Sequence, residues 1–532
     1  MEATQVECKN KEAAEVTNDN TSSSSSSWRN PSMIANEMIR LFLYYFNIPK
    51  ACYLVEGVII SLNLVEYGVL VLLMTYLTSI SGYSLVRAVA TVNIFSFISG
   101  ILAIFAELCA LRVGCYFMVQ VNSISYILGL VVLLTNIKHP GSFQALHGAL
   151  FLLAVGHGIL LSTCKEEFMK DQMKKASRVP NEDDEKRDEI RATISTMRTK
   201  VVGFGLSNLL VNKKTWRDQI LISISILSCT TFCLFAWKVI PIISSTSCSS
   251  SQSPKDEDGN KEIALSSKRL QSQENEDDHS EYHPKEENME TALSSNQQST
   301  SLRSAAPICF TFLVYGIVCS TGDTFFQDQA GSVDTSSMGG DYMSVMMLQI
   351  ITRTSRYVIN HFVCYVLSKR TRTGTLAILI RMGLGMFFTI VTCTVAQWTE
   401  VVRLTAIKNN NTFKVSPDDE IARPDIPVVL FIPQYIALGF VTGLAGEGLE
   451  VFFQSEYSGW IKYCATAITE ALTGIGSLLT MVLVFTQDMS RIDLFYRCVA
   501  FMCVFNFIPL YSLASTSYYR KIKIWRLLKD GM

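Results

Sequence analysis

The first long apolar stretch of the chain reads Val55-Glu56-Gly57-Val58-Ile59-Ile60-Ser61-Leu62-Asn63-Leu64-Val65-Glu66-Tyr67-Gly68. With its apolar flanks it covers residues 52–78, which exceeds the roughly 20 residues that a helix needs to cross a bilayer. Backbone groups in lipid must be satisfied within the segment, so we expect this span to be helical. Its two carboxylates each need a partner or a water-filled cavity, because an isolated charge at bilayer depth is strongly unfavourable.

Similar apolar segments recur along the rest of the chain. They cover residues 88–110, 115–136, 144–164, 199–212, 218–243, 307–330, 344–368, 382–402, 427–454, 461–486 and 494–516. The fifth span is the least apolar, with Arg198 and Lys200 at its entrance. Charged residues make up 17% of the sequence, against about 25% in soluble domains. The sequence therefore predicts an all-α membrane protein with about twelve transmembrane helices.

The spans fall into two sets of six, separated by a hydrophilic stretch. That stretch is acidic, rich in Ser and nearly free of aromatic residues, a composition that cannot form a core. Two six-helix bundles joined by a long loop are typical of the major facilitator fold. The predicted organisation is a disordered polar tail (1–45), an N-terminal bundle (46–243), a cytoplasmic linker (244–306), a C-terminal bundle (307–517) and a basic cytoplasmic tail (518–532).

Lys and Arg residues cluster in the loops after the fourth and eighth spans and in the C-terminal tail. Loops 79–87 and 331–343 are poor in them. Basic loops stay in the cytoplasm, so both termini and the linker are predicted to be cytoplasmic. The pattern does not distinguish the plasma membrane from the vacuolar membrane.

Other functional classes find no support in the sequence. The net charge of −1 gives no sign of nucleic-acid binding. The fifteen Cys form neither a Cys-x-x-Cys pair nor a Cys/His cluster, so no metal site is predicted. With no phosphate-binding loop and no Gly-x-Ser-x-Gly motif, we predict neither an enzyme nor a cofactor. The expected partners are the lipid bilayer and a small-molecule solute.

Several short motifs occur in the order and spacing of one known family. They are Ile432-Pro433-Gln434-Tyr435-Ile436-Ala437-Leu438-Gly439, Gly448-Leu449-Glu450-Val451-Phe452-Phe453, Arg381-Met382-Gly383-Leu384-Gly385 with Arg403-Leu404, Tyr67-Gly68 with Tyr76-Leu77-Thr78, and Phe168 with Asp171-Gln172. Together they make residues 45–520 resemble the plant nitrate/peptide transporters of the proton-dependent oligopeptide transporter family. The resemblance implies alternating-access transport of a small solute. Members of the family move nitrate, peptides, hormones and secondary metabolites.

The chain departs from this family at its charged positions. The Glu-x-x-Glu-Arg cluster, implicated in proton coupling, falls on Ile59, Leu62 and Asn63. The lysine of the fourth span becomes Leu161 or, if the register slips, Ser162. The tenth-span glutamate becomes Thr442. These degenerate positions argue most against peptides, whose two charged ends would need such partners. The hypotheses are a solute transporter that has lost the proton-coupling motif and, alternatively, a transport-inactive relative that acts as a regulatory or interaction membrane protein.

Six residues remain as substrate or proton candidates: Glu66, Tyr67, Asp328, Gln329, Glu447 and Glu450. Glu66 is either a relocated proton carrier or a carboxylate hydrogen-bonded inside the bundle. Asp328 matches a carboxylate position of bacterial relatives, but a solvated helix end would look the same. Glu447 and Glu450 are three residues apart and are expected to share a helix face, as pore-lining or as packing residues.

Four further polar residues leave two interpretations open. Arg353 and Arg356 either attract an anion or extend towards the membrane surface. Glu56 lies near the membrane edge, where water can solvate it. His157 either titrates near neutral pH or is buried in its neutral form.

Overall fold

The computed structural model describes the spans and most of the short loops. The described residues are 50–138, 143–176, 182–213, 215–249, 302–335, 338, 340–370, 374–408, 413–414, 423–424, 426–486 and 491–508. The predicted N-terminal tail, most of the predicted linker and the predicted basic tail lie outside them.

The N-terminal half contains spans 1–6 and a connecting helix. Span 1 comprises helices Lys50–Val65 and Leu73–Thr75 and π-helical turns Glu66–Leu70 and Tyr76–Ile80. Spans 2, 3 and 4 are Leu85–Val113, Cys115–Lys138 and Phe143–Leu161. The connecting helix Cys164–Ala176 then precedes span 5 (Glu182–Lys213) and span 6 (Trp216–Ser249).

The C-terminal half contains spans 7–12. Span 7 comprises Leu302–Asp323 and Phe325–Gly331, followed by span 8 (Asp341–Arg370) and span 9 (Gly374–Lys408). Span 10 combines Val428–Phe431, Ile432–Val441, the π-helical turn Thr442–Gly446 and Glu447–Glu456. A short helix, Trp460–Tyr463, precedes span 11 (Ala465–Thr486), and span 12 is helical over 492–508. Two short antiparallel strands, Phe413–Lys414 and Arg423–Pro424, depart from the predicted all-α structure.

Each of the twelve predicted apolar segments contains a helix. Nine segments among the described residues are both long and apolar enough to cross a membrane. Spans 5 and 8 are long but more polar. In span 5 the charge lies in the N-terminal part of the helix, before Val201, and in span 8 it includes Arg353 and Arg356, whose partners lie inside the protein. Large apolar side chains such as Phe105, Phe235 and Phe505 are exposed on the outer surface, as expected of a surface that contacts lipid.

Glycines bring spans 2 and 11 into close contact across the two halves. A Cβ atom on Gly100 would lie 2.6 Å from the backbone oxygen of Glu470, and one on Gly474 would lie 3.0 Å from the Cα of Phe97. Small residues at such crossings allow helix backbones to approach closely in a membrane. This crossing holds Glu470 at the boundary between the halves.

Candidate functional site

Charged side chains from both halves gather where the halves meet. The N-terminal half contributes Glu66 and Lys165, and the C-terminal half contributes Asp323, Arg353, Arg356, Glu447, Glu450 and Glu470. Asp323 is exposed, and the side chains of Arg353 and Arg356 are 39% and 43% exposed. Because these residues lie within spans, their exposure indicates a water-accessible cavity inside the protein.

Glu66 and Arg353 form an ion pair that joins the two halves. Both terminal nitrogens of Arg353 donate to Oε1 of Glu66 at 3.1 Å. The guanidinium lies 4.3 Å from the ring centroid of Tyr67, close enough for a cation–π contact. The π-helical turn of span 1 begins at Glu66, and such turns often occur at functional sites.

Glu447 is held by three donors within the C-terminal half. It accepts hydrogen bonds from Arg356 Nε at 2.8 Å, from Arg381 Nη2 at 3.1 Å and from the amide of Asn360. Arg381 also donates to the backbone carbonyl of Gly443 at 3.0 Å, in the π-helical turn that precedes Glu447. The arginine of the Arg-Met-Gly motif therefore fixes span 9 to the bend of span 10.

Two cavity carboxylates have no direct partner. Among the described residues, neither Asp323 nor Glu470 has a hydrogen bond or an ion pair within 4 Å. Arg353 attracts Asp323 electrostatically at longer range, and Arg356 attracts Glu470 in the same way. The nearby Glu450 accepts a hydrogen bond from Thr466 Oγ1 at 2.7 Å. The C-terminal half thus carries negative charge that its arginines do not neutralise by contact.

Lys165 supplies the opposite charge from the N-terminal half. It lies in the first turn of the connecting helix and has no carboxylate within ion-pair distance in the described structure. Burial, with repulsion from Lys200, lowers the pKa of Lys165 to about 8, although Glu66 and Glu166 favour its protonated form. At neutral pH this ammonium is still mostly charged.

A second polar network joins spans 7, 9 and 10 at the ends that the basic-loop pattern predicts to be the outer ones. Glu400 is fully buried, and its carboxylate accepts hydrogen bonds from Arg403 at 2.7 and 2.9 Å and from Gln329 Nε2 at 2.7 Å. Gln434 donates to Gln329 at 3.3 Å, which gives the glutamine of the Ile-Pro-Gln-Tyr motif a structural role. Asp328 lies beside this network, within electrostatic range of Arg403 and Glu400.

The degenerate family positions lie outside the cavity's ion pairs. Ile59 and Leu62 are fully buried in the apolar core. Asn63 is also fully buried, and neither polar atom of its amide has a protein partner. Leu161 is the last residue of span 4, and the Thr442 hydroxyl donates to carbonyls of its own helix.

Some interpretations of single residues were wrong. Glu56 is only 5% exposed, and it bonds to Arg198 at 2.5 Å and to Ser195, so it is not a water-exposed edge residue. Arg353 and Arg356 pair with carboxylates inside the protein and do not extend to the membrane surface. Glu447 and Glu450 lie three residues apart on the helix Glu447–Glu456, and Glu447 bonds to spans 8 and 9 whereas Glu450 bonds to Thr466 of span 11.

Four charged residues of the cavity and of the second polar network are absent from the candidates drawn from the sequence: Lys165, Asp323, Glu400 and Glu470. In the sequence, Lys165 is one of the basic residues in the loop after span 4 that predict the topology. The signal for Glu470 was a lone carboxylate within an apolar span, a pattern that by itself points to function.

Helical spans in two halves around a charged internal cavity define a polytopic membrane protein of the major facilitator type. The sequence model of PTR2, the POT family, matches residues 201–493, and the chain belongs to this family. The resemblance inferred from the motifs and the predicted fold class are thereby confirmed.

Curated relatives come from Arabidopsis thaliana. Protein NRT1/PTR FAMILY 5.10 is 28% identical over 189 residues, which are 35% of this chain and 33% of the relative. Protein NRT1/PTR FAMILY 5.5 is 23% identical over 248 residues, or 42% and 44% of the two chains. These alignments span less than half of either relative. Protein NRT1/PTR FAMILY 5.13 aligns over 89% of this chain and 94% of its own length at 23% identity.

Solved structures share the fold at low sequence identity. A mutant of the peptide transporter POT superposes with a TM-score of 0.61 at 12% identity, covering 88% of this chain and 95% of that one. A POT family transporter in complex with 5-aminolevulinic acid gives 0.58 at 10% identity, with coverage of 89% and 97%. Identities this low establish the architecture and leave the solute open.

Proposed function

We propose that this chain transports a small zwitterionic solute by alternating access. The observation that carries the proposal is the distribution of charges without direct partners. Lys165 lies in the N-terminal half, whereas Asp323 and Glu470 lie in the C-terminal half. Arg353 and Arg356 are already neutralised by Glu66 and Glu447. A solute with one carboxylate and one ammonium would give both halves a charged partner.

Such a solute would favour closure of the cavity around it. Its carboxylate would meet Lys165 and its ammonium would meet Asp323 or Glu470, so that charges without a direct partner gain a charge-assisted hydrogen bond. Nitrate would satisfy Lys165 and leave the carboxylates without partners. Peptides are disfavoured by the sequence because Leu161 and Thr442 replace the lysine and the glutamate of the family. Lys165 and Glu470 supply a positive and a negative charge, so this argument against peptides no longer applies.

Uptake into proteoliposomes tests this function with four solutes: a dipeptide, 5-aminolevulinic acid, nitrate and a simple organic acid. We expect the two zwitterions to be taken up, and Lys165→Gln or Glu470→Gln to reduce their uptake at least tenfold. Lys174→Gln is the matched control, because Lys174 is exposed on the same connecting helix. Preferential nitrate uptake, or equal loss in all three variants, would contradict the proposal.

Proton coupling is expected to be weak. Ile59, Leu62 and Asn63 cannot carry protons, and the charge of Glu66 is compensated by Arg353. An inward pH gradient should therefore change zwitterion uptake little. If uptake is strongly driven by the gradient, this expectation is wrong, and Glu66→Gln and Asp328→Asn are the variants that locate the proton-binding group.

The alternative function, a transport-inactive regulatory or interaction protein, makes the opposite prediction. A folded sample would then bind zwitterions or partner proteins without moving any solute across the vesicle membrane. Measuring binding by thermal stabilisation in the same preparation separates a protein that binds without transport from one that does not bind the tested solutes.

A further inference from the structure

His157 is a half-buried side chain of span 4 whose place in the helix is fixed by its two glycine neighbours. A Cβ atom on Gly158 would lie 2.7 Å from the backbone oxygen of Ser99, and one on Gly156 would overlap the ring of Tyr126. Small residues allow such close packing between helices in a membrane. Span 4 is therefore held against spans 2 and 3 on either side of His157.

Two aromatic residues orient the imidazole ring of His157. The ring of Phe95, on span 2, stacks on it with centroids 5.6 Å apart and 24° between the ring planes. The hydroxyl of Tyr126, on span 3, lies 3.4 Å from Nδ1. Both aromatic residues are buried, whereas His157 is half-buried. Nε2 has no hydrogen-bond partner in the described part of the chain and is not enclosed by protein atoms, so a ligand can reach it.

The bond to Tyr126 makes Nε2 a hydrogen-bond donor. A neutral imidazole nitrogen is a stronger acceptor than a phenol oxygen, so we assign the hydroxyl of Tyr126 as the donor to Nδ1. The proton of the neutral ring then lies on Nε2. When the imidazole is protonated, both nitrogens carry a proton. His157 therefore offers a donor at Nε2 in either state, and such a donor fits an oxygen acceptor.

The charges around His157 favour an anionic acceptor. Glu66, Lys165 and Arg353 lie within its electrostatic range. Glu66 and Arg353 form an ion pair with each other, whereas Lys165 has no carboxylate within ion-pair distance in the described structure. A carboxylate that approaches the ammonium of Lys165 therefore finds a second donor from the same half of the protein at Nε2 of His157.

We propose that His157 is a solute-binding residue that donates a hydrogen bond from Nε2 to the carboxylate of the transported zwitterion, beside Lys165. Because Lys165 is the group assigned to that carboxylate, this role of His157 rests on the proposed function. A carboxylate has two acceptor oxygens, so the ammonium and the imidazole bind one each. The packing of Phe95 and Tyr126 holds the donor in place before the solute arrives, and His157 thereby favours solutes with a free carboxylate over their esters.

Two substitutions separate the roles of the ring nitrogens. The amide of Asn reaches the position of Nδ1 and keeps a partner for Tyr126, whereas the amide of Gln reaches the position of Nε2. We expect His157→Asn to weaken the affinity of the purified full chain for 5-aminolevulinic acid by roughly tenfold or more, because it removes a hydrogen bond to a charged group. His157→Gln should stay within about threefold of the unaltered protein. A role limited to the bond with Tyr126 predicts the reverse order and would overturn the proposal.

The methyl ester of 5-aminolevulinic acid tests whether the carboxylate is the group bound, since the ester keeps the ammonium and lacks that charge. His157→Asn should leave the affinity for the ester unchanged, and equal losses for acid and ester would overturn the assignment. His147→Asn is the matched control, because His147 is exposed on the same helix about three turns away. It should bind both compounds as the unaltered protein does.

A second variant guards against misfolding of the first. His157→Phe keeps a ring to stack on Phe95 and removes both nitrogens, so it should lose affinity for the acid and not for the ester. Thermal melting confirms that each variant is folded. If the unaltered protein binds the acid and the folded Asn and Phe variants bind it equally well, the role of His157 is overturned while the proposed function stands. If the unaltered protein binds neither 5-aminolevulinic acid nor a dipeptide, the proposed function fails, and the role of His157 fails with it.

Discussion

The ion pair between Glu66 and Arg353 gives the first prediction at the residue scale. Glu66→Gln leaves Arg353 without its carboxylate partner inside the protein. Because the Arg353 side chain remains 39% exposed to the cavity, we expect a loss of about 1–2 kcal/mol, between the values for exposed and buried pairs. Thermal unfolding in detergent measures the loss.

The double variant Glu66→Gln with Arg353→Gln distinguishes pairing from packing. If the pair matters, removing both charges should be less destabilising than the sum of the single changes. Asp171→Asn is the control, because its pair with Lys175 is exposed and contributes little. Strict additivity of the two single changes would contradict the assigned pairing.

Lys165 gives a prediction about pH. Its pKa is about 8, below the ordinary 10.5, so its positive charge is lost as the pH rises through about 8. Affinity for the carboxylate of a zwitterionic solute should therefore fall above that pH. Ligand-induced thermal stabilisation across a pH series of about 7 to 9.5 measures this change.

The contribution of Lys165 to the free energy of unfolding should change with pH in the opposite direction from solute affinity. Between pH 8 and 10.5 the unfolded chain holds a proton at Lys165 that the folded chain has released, so this residue's contribution to stability rises with pH. Burial is the largest cause of the lowered pKa of Lys165, and the charged neighbours Lys200, Glu66, Glu166 and Arg353 adjust it further. Lys165→Arg keeps its charge at alkaline pH and should abolish the fall in affinity. An unchanged fall would mean that another group titrates.

At the scale of helices, the crossing of spans 2 and 11 depends on Gly100. An Ala at this position would place its Cβ 2.6 Å from the backbone oxygen of Glu470, which a side-chain rotation cannot relieve. We expect Gly100→Ala to destabilise the protein by about 1–3 kcal/mol and to impair transport. Gly148→Ala is the control, since nothing lies within 4 Å of the added atom. Equal melting temperatures for the two variants would contradict this crossing.

The network at the outer ends of spans 7, 9 and 10 gives a larger expected effect. Glu400 is fully buried, and Arg403 is 12% exposed. Glu400→Gln would remove the only carboxylate that Arg403 contacts among the described residues and leave Asp328 at longer range, which destabilises by about 3–5 kcal/mol. The yield of monodisperse protein and its melting temperature should both fall well below those of Asp171→Asn. A variant as stable as that control would show that Arg403 finds another partner.

Hydropathy located the helices because lipid requires long apolar segments, and each predicted segment contains one. The same signal could not reveal the π-helical turns at Glu66 and Thr442 or the break after Asp323. Counting from the family motifs placed the lost charges at Leu62 and Leu161. The structure has Glu66 and Lys165 four residues further along, one helical turn in each case. Their partners depend on how separate helices are rotated, which no single segment encodes.

At the scale of the whole molecule, the basic loops predict the orientation in the membrane. Epitope tags at the N-terminus, within residues 255–290 and at the C-terminus should all be accessible from the cytoplasm, because Lys and Arg are retained on that side. All three positions lie outside the described residues, so the test is independent of the helix packing. A tag within 255–290 that is accessible only from the other side would contradict the twelve-span topology.

Contacts at opposite ends of the molecule join the two halves. At the end predicted to be cytoplasmic, the Tyr463 hydroxyl donates to Glu167 at 3.1 Å. At the end predicted to be outer, the rings of Trp216 and Tyr342 stack with centroids 6.1 Å apart. Alternating access requires each contact to separate in turn while the other holds. Locking either contact should therefore stop transport.

Paired cysteines and a short bifunctional thiol reagent test this requirement. Glu167→Cys with Tyr463→Cys should abolish net uptake after cross-linking, and so should Trp216→Cys with Tyr342→Cys. Reduction should restore uptake if the linker is a disulfide. Each single-cysteine variant, treated in the same way, controls for the fifteen native cysteines. If a fully cross-linked pair at either end leaves uptake intact, that contact does not separate during transport, and the halves do not alternate at that end.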